Sequence, residues 1–153
     1  MEIIDLEPGD PRLTDDLLPV LRELRPHLTQ DLFRQIYAEG YGQGLRFSAA
    51  YSPAYGEDEG KSEGGVCVGA AGWRIVATTV AVRKLYVDDL VTAEAARSRG
   101  VGHALLAHLE AIARAAGCTS LNLDSGTHRT DAHRFYFRER MAVTAFNFDK
   151  KLG

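Results

Sequence analysis

The stretch with the clearest chemical capacity is Arg97-Ser98-Arg99-Gly100-Val101-Gly102-His103-Ala104. Glycines let a backbone come close to a ligand and adopt dihedrals that other residues resist. A helical apolar repeat follows at once. The first N–H groups of that helix would lack intrahelical partners, and its dipole favours an anion in the turn. Arg97 and Arg99 add positive charge, so the turn is a candidate pyrophosphate cradle. It is not a P-loop, because His103-Ala104 stand where that motif needs Lys and then Ser or Thr. It is not a dinucleotide fingerprint, because the spacing is G-x-G-x-x-Leu. The plain alternative is a helix-initiating turn with incidental arginines.

Carboxylates form the second group. Asp88 and Asp89 are adjacent on an apolar strand pattern, and alternation sends them to opposite faces, so at most one faces a given ligand directly. Asp124 ends the next strand and is expected to open onto the same cleft. Singly, such carboxylates are usually solvated; together they would favour a cationic ligand. His128 and His133 are further titratable candidates. Tyr86 and Trp73 could line a ligand pocket, although strand aromatics more often pack in a core. Tyr136, between Phe135 and Phe137, reads by position alone as a packed aromatic. His103, His108, Cys67 and Cys118 share no ligand spacing, so no metal is expected, and His108 is expected on a helix surface.

These residues need elements to position them. Residues 2–6 read as a strand, ended by Pro8-Gly9-Asp10. Leu17, Leu21, Leu24 and Leu28 recur at helical spacing with Thr14 as cap, and Thr29 caps a second helix that would bury Leu32, Phe33, Ile36 and Tyr37. Strands follow at 45–51, 66–76 and 82–91, with a mobile hairpin loop over 52–64. A helix then starts near Gly102, buries Val101, Leu105, Leu109, Ile112 and Ala116, and stops at Gly117. The remainder reads as a strand at 120–124, a helix at 130–140 with Ala132, Phe135 and Tyr136 inward, and a strand at 143–150. Consecutive strands pair antiparallel and strand–helix–strand units pair parallel, giving a mixed sheet with helices on both faces.

The whole-chain properties set limits. A chain of 153 residues suits one domain over 1–153. A net charge of -3 argues against a broad nucleic-acid-binding surface. No apolar run reaches membrane-spanning length, and the N-terminus lacks a secretory pattern. Cys67 and Cys118 suit free thiols in a reducing cytoplasm.

Three blocks in order resemble the Gcn5-related N-acetyltransferase (GNAT) family: Asp88-Asp89-Leu90-Val91 with Arg97-x-x-Gly100-x-Gly102, then 121–126, then Ala132-His133-Arg134-Phe135-Tyr136. The resemblance covers roughly residues 80 to 148; the N-terminal half matches in pattern only. It implies an α/β fold whose central strands splay to admit acetyl-CoA, with no metal. Backbone amides from Arg99 through Gly100, Val101, Gly102 and His103 to Ala104 would hold the pyrophosphate. Backbone groups of Leu90 and Val91 would pair with the pantetheine arm. Tyr136 stands where the family carries the acid that protonates the CoA thiolate. Asp89 or Asp88 would take the amine's proton, directly or through water, with Tyr86 and Asp124 toward the acceptor and His133 toward CoA or the core. Arg129 replaces an Asn the family often has, which changes a support for the CoA arm. After Met141 there is room for one long strand or two very short ones, so a partner chain could complete the sheet edge as a homodimer. The acceptor would be a primary amine of a small molecule or peptide. The alternative is a non-catalytic acyl-CoA-binding sensor.

Overall fold

The computed structural model describes residues 1–53 and 65–153. The hairpin loop expected over 52–64 lies, from residue 54 on, outside the described residues. The chain divides into two compact units, residues 1–122 and 123–153.

The first unit is built on β1 (Glu2–Leu6), β2 (Arg46–Ser52), β3 (Val66–Thr78) and β4 (Val82–Thr92), each antiparallel to the next. β5 (Ser120–Leu123) completes a mixed five-stranded sheet in the order β1-β2-β3-β4-β5. Helices α1 (Leu18–Leu24), α2 (Gln30–Tyr41) and α3 (Val101–Ala115) belong to this unit.

Alternation along the strands sorts the packing. Phe47, Ala49, Tyr51 and Ala70 belong to one apolar cluster with Leu17, Leu21, Phe33 and Tyr37 of the N-terminal helices. Burying each such large apolar side chain contributes roughly 1.5–3 kcal/mol. Neighbouring strand positions take the other side, where α3 docks with Val101, Leu105, Leu106, Leu109 and Ala113 buried. An added Cβ at Gly69 of β3 would lie 2.5 Å from Val101 Cγ1 and 2.9 Å from Leu105 Cδ1. Gly69 thus permits the close approach of α3 to the sheet.

A polar chain ties α3 to β1. Trp73 Nε1 donates to Ser48 Oγ at 2.9 Å, Ser48 donates to Asp5 Oδ1 at 2.5 Å, and His108 Nε2 donates to Asp5 Oδ1 at 2.9 Å. His108 is therefore half-buried and paired rather than a bare surface residue. Trp73, 8% exposed, is a core residue.

Local signals explain most helix ends. Thr29 Oγ1 accepts from the Leu32 N–H at 3.1 Å, the expected cap. Gly117, at φ 74°, ends α3, with Gly117 N–H donating to Arg114 O and Cys118 N–H to Ala113 O. The first helix departs from expectation. A π-helical turn, Leu13–Leu17, precedes α1, and Thr14 donates to Pro11 O instead of capping. Asp10 accepts the Arg12 N–H at 2.9 Å and also binds its guanidinium, so the polar anchor lies four residues earlier. On α2, Phe33 and Tyr37 are buried but Ile36 is 41% exposed.

In the second unit, α4 (Thr130–Arg138) forms close to expectation, without a fully buried residue. The strand expected over 143–150 does not form: residues 142–153 carry neither helix nor strand. Alternation alone does not make a strand, because a ladder needs a partner. Phe146 and Phe148 are 82% and 94% exposed.

Candidate acceptor cleft and pyrophosphate turn

In β4 the pairing register shifts: Gly72 stands opposite Asp89, and Trp73 stands opposite Val87. Asp88 is the extra residue of a β-bulge. A bulge sets two residues against one and re-aims their side chains. Asp88 and Asp89, which alternation would send to opposite faces, both line one cleft of about 300 Å³. Its other walls are apolar residues of α1, α2, the following turns and β2, among them Leu21, Leu28, Phe33, Ile36 and Phe47, with Arg25, His27 and Arg74.

The two carboxylates are held differently. Arg74 closes a fork on Asp88, Nε to Oδ2 at 3.0 Å and Nη2 to Oδ1 at 3.1 Å. Arg25 Nε donates to Asp89 Oδ1 at 2.8 Å. Burial pushes the Asp89 carboxyl above its ordinary range, more than the opposing pull of Arg25 lowers it. Asp89 is thus a carboxylate with enhanced proton affinity in a cleft, the kind of group that serves as a base. Gly72 makes room for it: a Cβ there would lie 3.2 Å from Asp89 Oδ2 and 3.0 Å from Phe47 Cε1. Tyr86, opposite Arg74 in the ladder, is not among the residues lining the cleft.

Beyond the bulge, Leu90 and Val91 pair with Ala71 and Ala70 of β3. The chain then makes a 3-10 turn, Glu94–Ala96, and enters the candidate cradle. Ser98 and Gly100 both take left-handed backbone, at φ 63° and 80°. Gly100 is the N-cap of α3 and has open space around its Cβ position, so it is needed for its dihedral, not for room. Ala104 N–H donates to Gly100 O at 3.0 Å, which leaves the amides of the preceding residues at the helix start. A left-handed residue followed by helical ones turns successive N–H groups to one side, as anion-holding nests do. Arg97, Arg99 and His103 stand exposed around this turn. The donor set fits a pyrophosphate.

The second unit carries the remaining predicted residues. Arg129 is the N-cap of α4, and its N–H donates to Gly126 O at 3.0 Å. His133 Nε2 also donates to Gly126 O, at 2.8 Å, which fastens the turn before the helix. Tyr136 is half-buried, its ring 5.4 Å from that of Phe135. Burial raises its phenol pKa against the opposing charge of Arg129. Asp124 accepts from Asn147 Nδ2 at 3.1 Å.

Sequence reasoning missed both cleft arginines. Arg25 precedes a proline at a helix end and Arg74 lies inside a strand; neither position announces a partner. Among the described residues, no group of three or more His, Cys, Asp or Glu could hold a metal ion. No helix among them is long and apolar enough to cross a membrane.

The sequence profile of the acetyltransferase (GNAT) family matches residues 11–141. An uncharacterized N-acetyltransferase of Bacillus subtilis (strain 168) is 48% identical over 60 residues, 39% of this chain and 42% of that protein. The aminoalkylphosphonate N-acetyltransferase of Salmonella typhimurium (strain LT2) is 39% identical over 66 residues, 43% of each chain. The matched stretches thus span less than half of these relatives. A protein of Agrobacterium tumefaciens str. C58 assigned as an acetyltransferase superposes with a TM-score of 0.73 at 26% identity, over 99% of this chain and all of its own. AAC(6')-Iy, solved with a CoA-containing bisubstrate analog, has a TM-score of 0.77 at 15% identity, covering 100% of this chain and 99% of its own.

Proposed function

Because the chain belongs to the acetyltransferase (GNAT) family, we propose that it is an acetyl-CoA-dependent N-acetyltransferase acting on a primary amine of a small molecule or peptide. Residues 1–153 would work as one catalytic domain. The observation that carries the acceptor half is the β4 bulge, which brings Asp88 and Asp89 into one cleft. The geometry of the turn from Arg97 to Ala104 supports it as the pyrophosphate cradle, with Leu90 and Val91 offering backbone groups to the pantetheine arm.

Acetyl-CoA supplies an acetyl carbonyl for attack and a thiolate leaving group. Asp89 accepts the proton that the acceptor ammonium must lose before nitrogen has a lone pair to form the new C–N bond. Asp88, held by Arg74, adds negative charge beside it. Tyr136 donates its phenol proton to the sulfur as the C–S bond breaks; its raised pKa keeps that proton available near neutral pH. Arg129 and His133 hold the turn that starts the helix bearing Tyr136. Tyr86 and Asp124 remain our candidates for contacts to the outer part of the acceptor.

The name of the Salmonella relative keeps amines that also carry an acidic group among the acceptors to assay. Cys67 and Cys118 are free thiols, which supports a reducing, cytoplasmic setting. The exposed Phe146 and Phe148 support a homodimer. The direct assay is amine-dependent release of CoA thiol. Tight acetyl-CoA binding without transfer to any amine would instead mark a sensor.

A further inference from the structure

The two arginines of the cleft do unequal work. Arg74 is committed: its fork takes both oxygens of Asp88, and the two side chains are 23% and 25% exposed. Arg25 lies at the end of α1 and is 45% exposed, against 17% for the Asp89 it holds. Its Nε donates to Asp89 at 2.8 Å, while Nη2 reaches only the Asp88 backbone carbonyl, at 3.4 Å. A guanidinium has five N–H donors in a planar fork suited to carboxylate and phosphate oxygens. The Nη edge of Arg25 therefore has donor capacity beyond the contacts that anchor it.

The charge balance points the same way. Two guanidiniums and two carboxylates line the cleft and offset one another. A purely cationic amine approaching Asp89 meets Arg25 already bound to the same carboxylate. An amine with its own anionic group meets a matched pair: its anion at Arg25, its ammonium at Asp89.

We propose that the acceptor is an amine that also bears an anionic oxygen group, a carboxylate or a phosphonate, and that Arg25 is the residue that selects it. This rests on the reading of the cleft as the acceptor site. Binding of the anion draws the guanidinium's charge away from Asp89. Arg25 is the group that most restrains the proton affinity of Asp89, so the matching acceptor strengthens the base it needs. A simple amine leaves that restraint in place.

The test compares kcat/KM, by CoA thiol release, for 2-aminoethylphosphonate, β-alanine and propylamine. In the wild-type protein at least one acid-bearing amine is favoured over propylamine by roughly tenfold to hundredfold, the scale of one charge-assisted contact. Arg25→Ala brings that ratio close to one through a higher KM for the acid. Arg25→Lys, which keeps the charge but loses the fork, retains part of the ratio, and thermal melting reports whether each variant is folded. Turnover of only one of the acids supports the proposal and identifies its anion. Propylamine used as well as both acids, or a ratio unchanged in Arg25→Ala, overturns the proposal while leaving the transferase reading intact. No turnover of any amine, with acetyl-CoA binding seen by calorimetry, overturns both.

Discussion

At the scale of single residues, the proposed mechanism divides the proton traffic between Asp89 and Tyr136, and burial raises the pKa of both. The Asp89 carboxyl is raised by burial, so the fold holds its proton to higher pH than the unfolded chain does. Between the ordinary carboxylate pKa and that raised value, the folded state binds more protons, and stability falls as pH rises. With Asp89 as the base, activity is expected to run oppositely, because a base must be ionised: kcat/KM should rise with pH through the same window. Asp89→Asn is expected to flatten both slopes and to lower kcat/KM by roughly 10²–10⁴-fold, the usual contribution of a general base. Melting temperatures and pH–rate profiles of the two proteins check this. Tyr136→Phe is expected to lower kcat by about 10²-fold or more if the phenol is the acid, with little change in acetyl-CoA affinity. Single-turnover kinetics beside calorimetry separate the two quantities. An unchanged kcat removes Tyr136 from the chemistry.

At the scale of elements, two glycines in different surroundings control how α3 presents its N-terminus. Gly69 lies where α3 touches β3, and the methyl of Gly69→Ala would meet Val101 and Leu105. Overpacking of this kind costs roughly 1–3 kcal/mol. Because Val101 opens the helix, acetyl-CoA affinity should fall along with melting temperature. Gly100→Ala has room but must hold left-handed backbone, at a cost of about 1–2 kcal/mol. Its effect should also appear in cosubstrate affinity, measured by calorimetry. These elements differ in how far the sequence reveals them. The turn was readable because Arg97, Gly100 and Gly102 act locally, on the backbone that carries them. The bulge at Asp88 was not, since it is a property of the pairing between β3 and β4 and not of either strand. Alternation therefore misplaced one of the two aspartates. Residues 143–150 failed for a related reason: their alternating pattern fits a strand but supplies no neighbour.

For the whole molecule, the order of strands and helices in the first unit followed from periodicity and punctuation, to within a few residues. The three blocks that resemble the family lie in residues 80 to 148, and they carried the acetyl-CoA half of the account. The acceptor half depends on residues far apart in the chain. Arg25 and Asp89 are 64 positions apart, and their pairing became visible only in the fold. The exposed Phe146 and Phe148 lead to a prediction at this scale. Sedimentation should show a dimer, and replacing both phenylalanines by serine should shift it toward monomer. A wild-type monomer at high concentration would set that idea aside.

The measurement closest to the central claim is CoA thiol release from acetyl-CoA across a panel of primary amines, with products weighed by mass spectrometry. The account predicts thiol release only when a suitable amine is present, matched mole for mole by an acetylated amine. Binding of acetyl-CoA with no acetyl group appearing on any amine would contradict it.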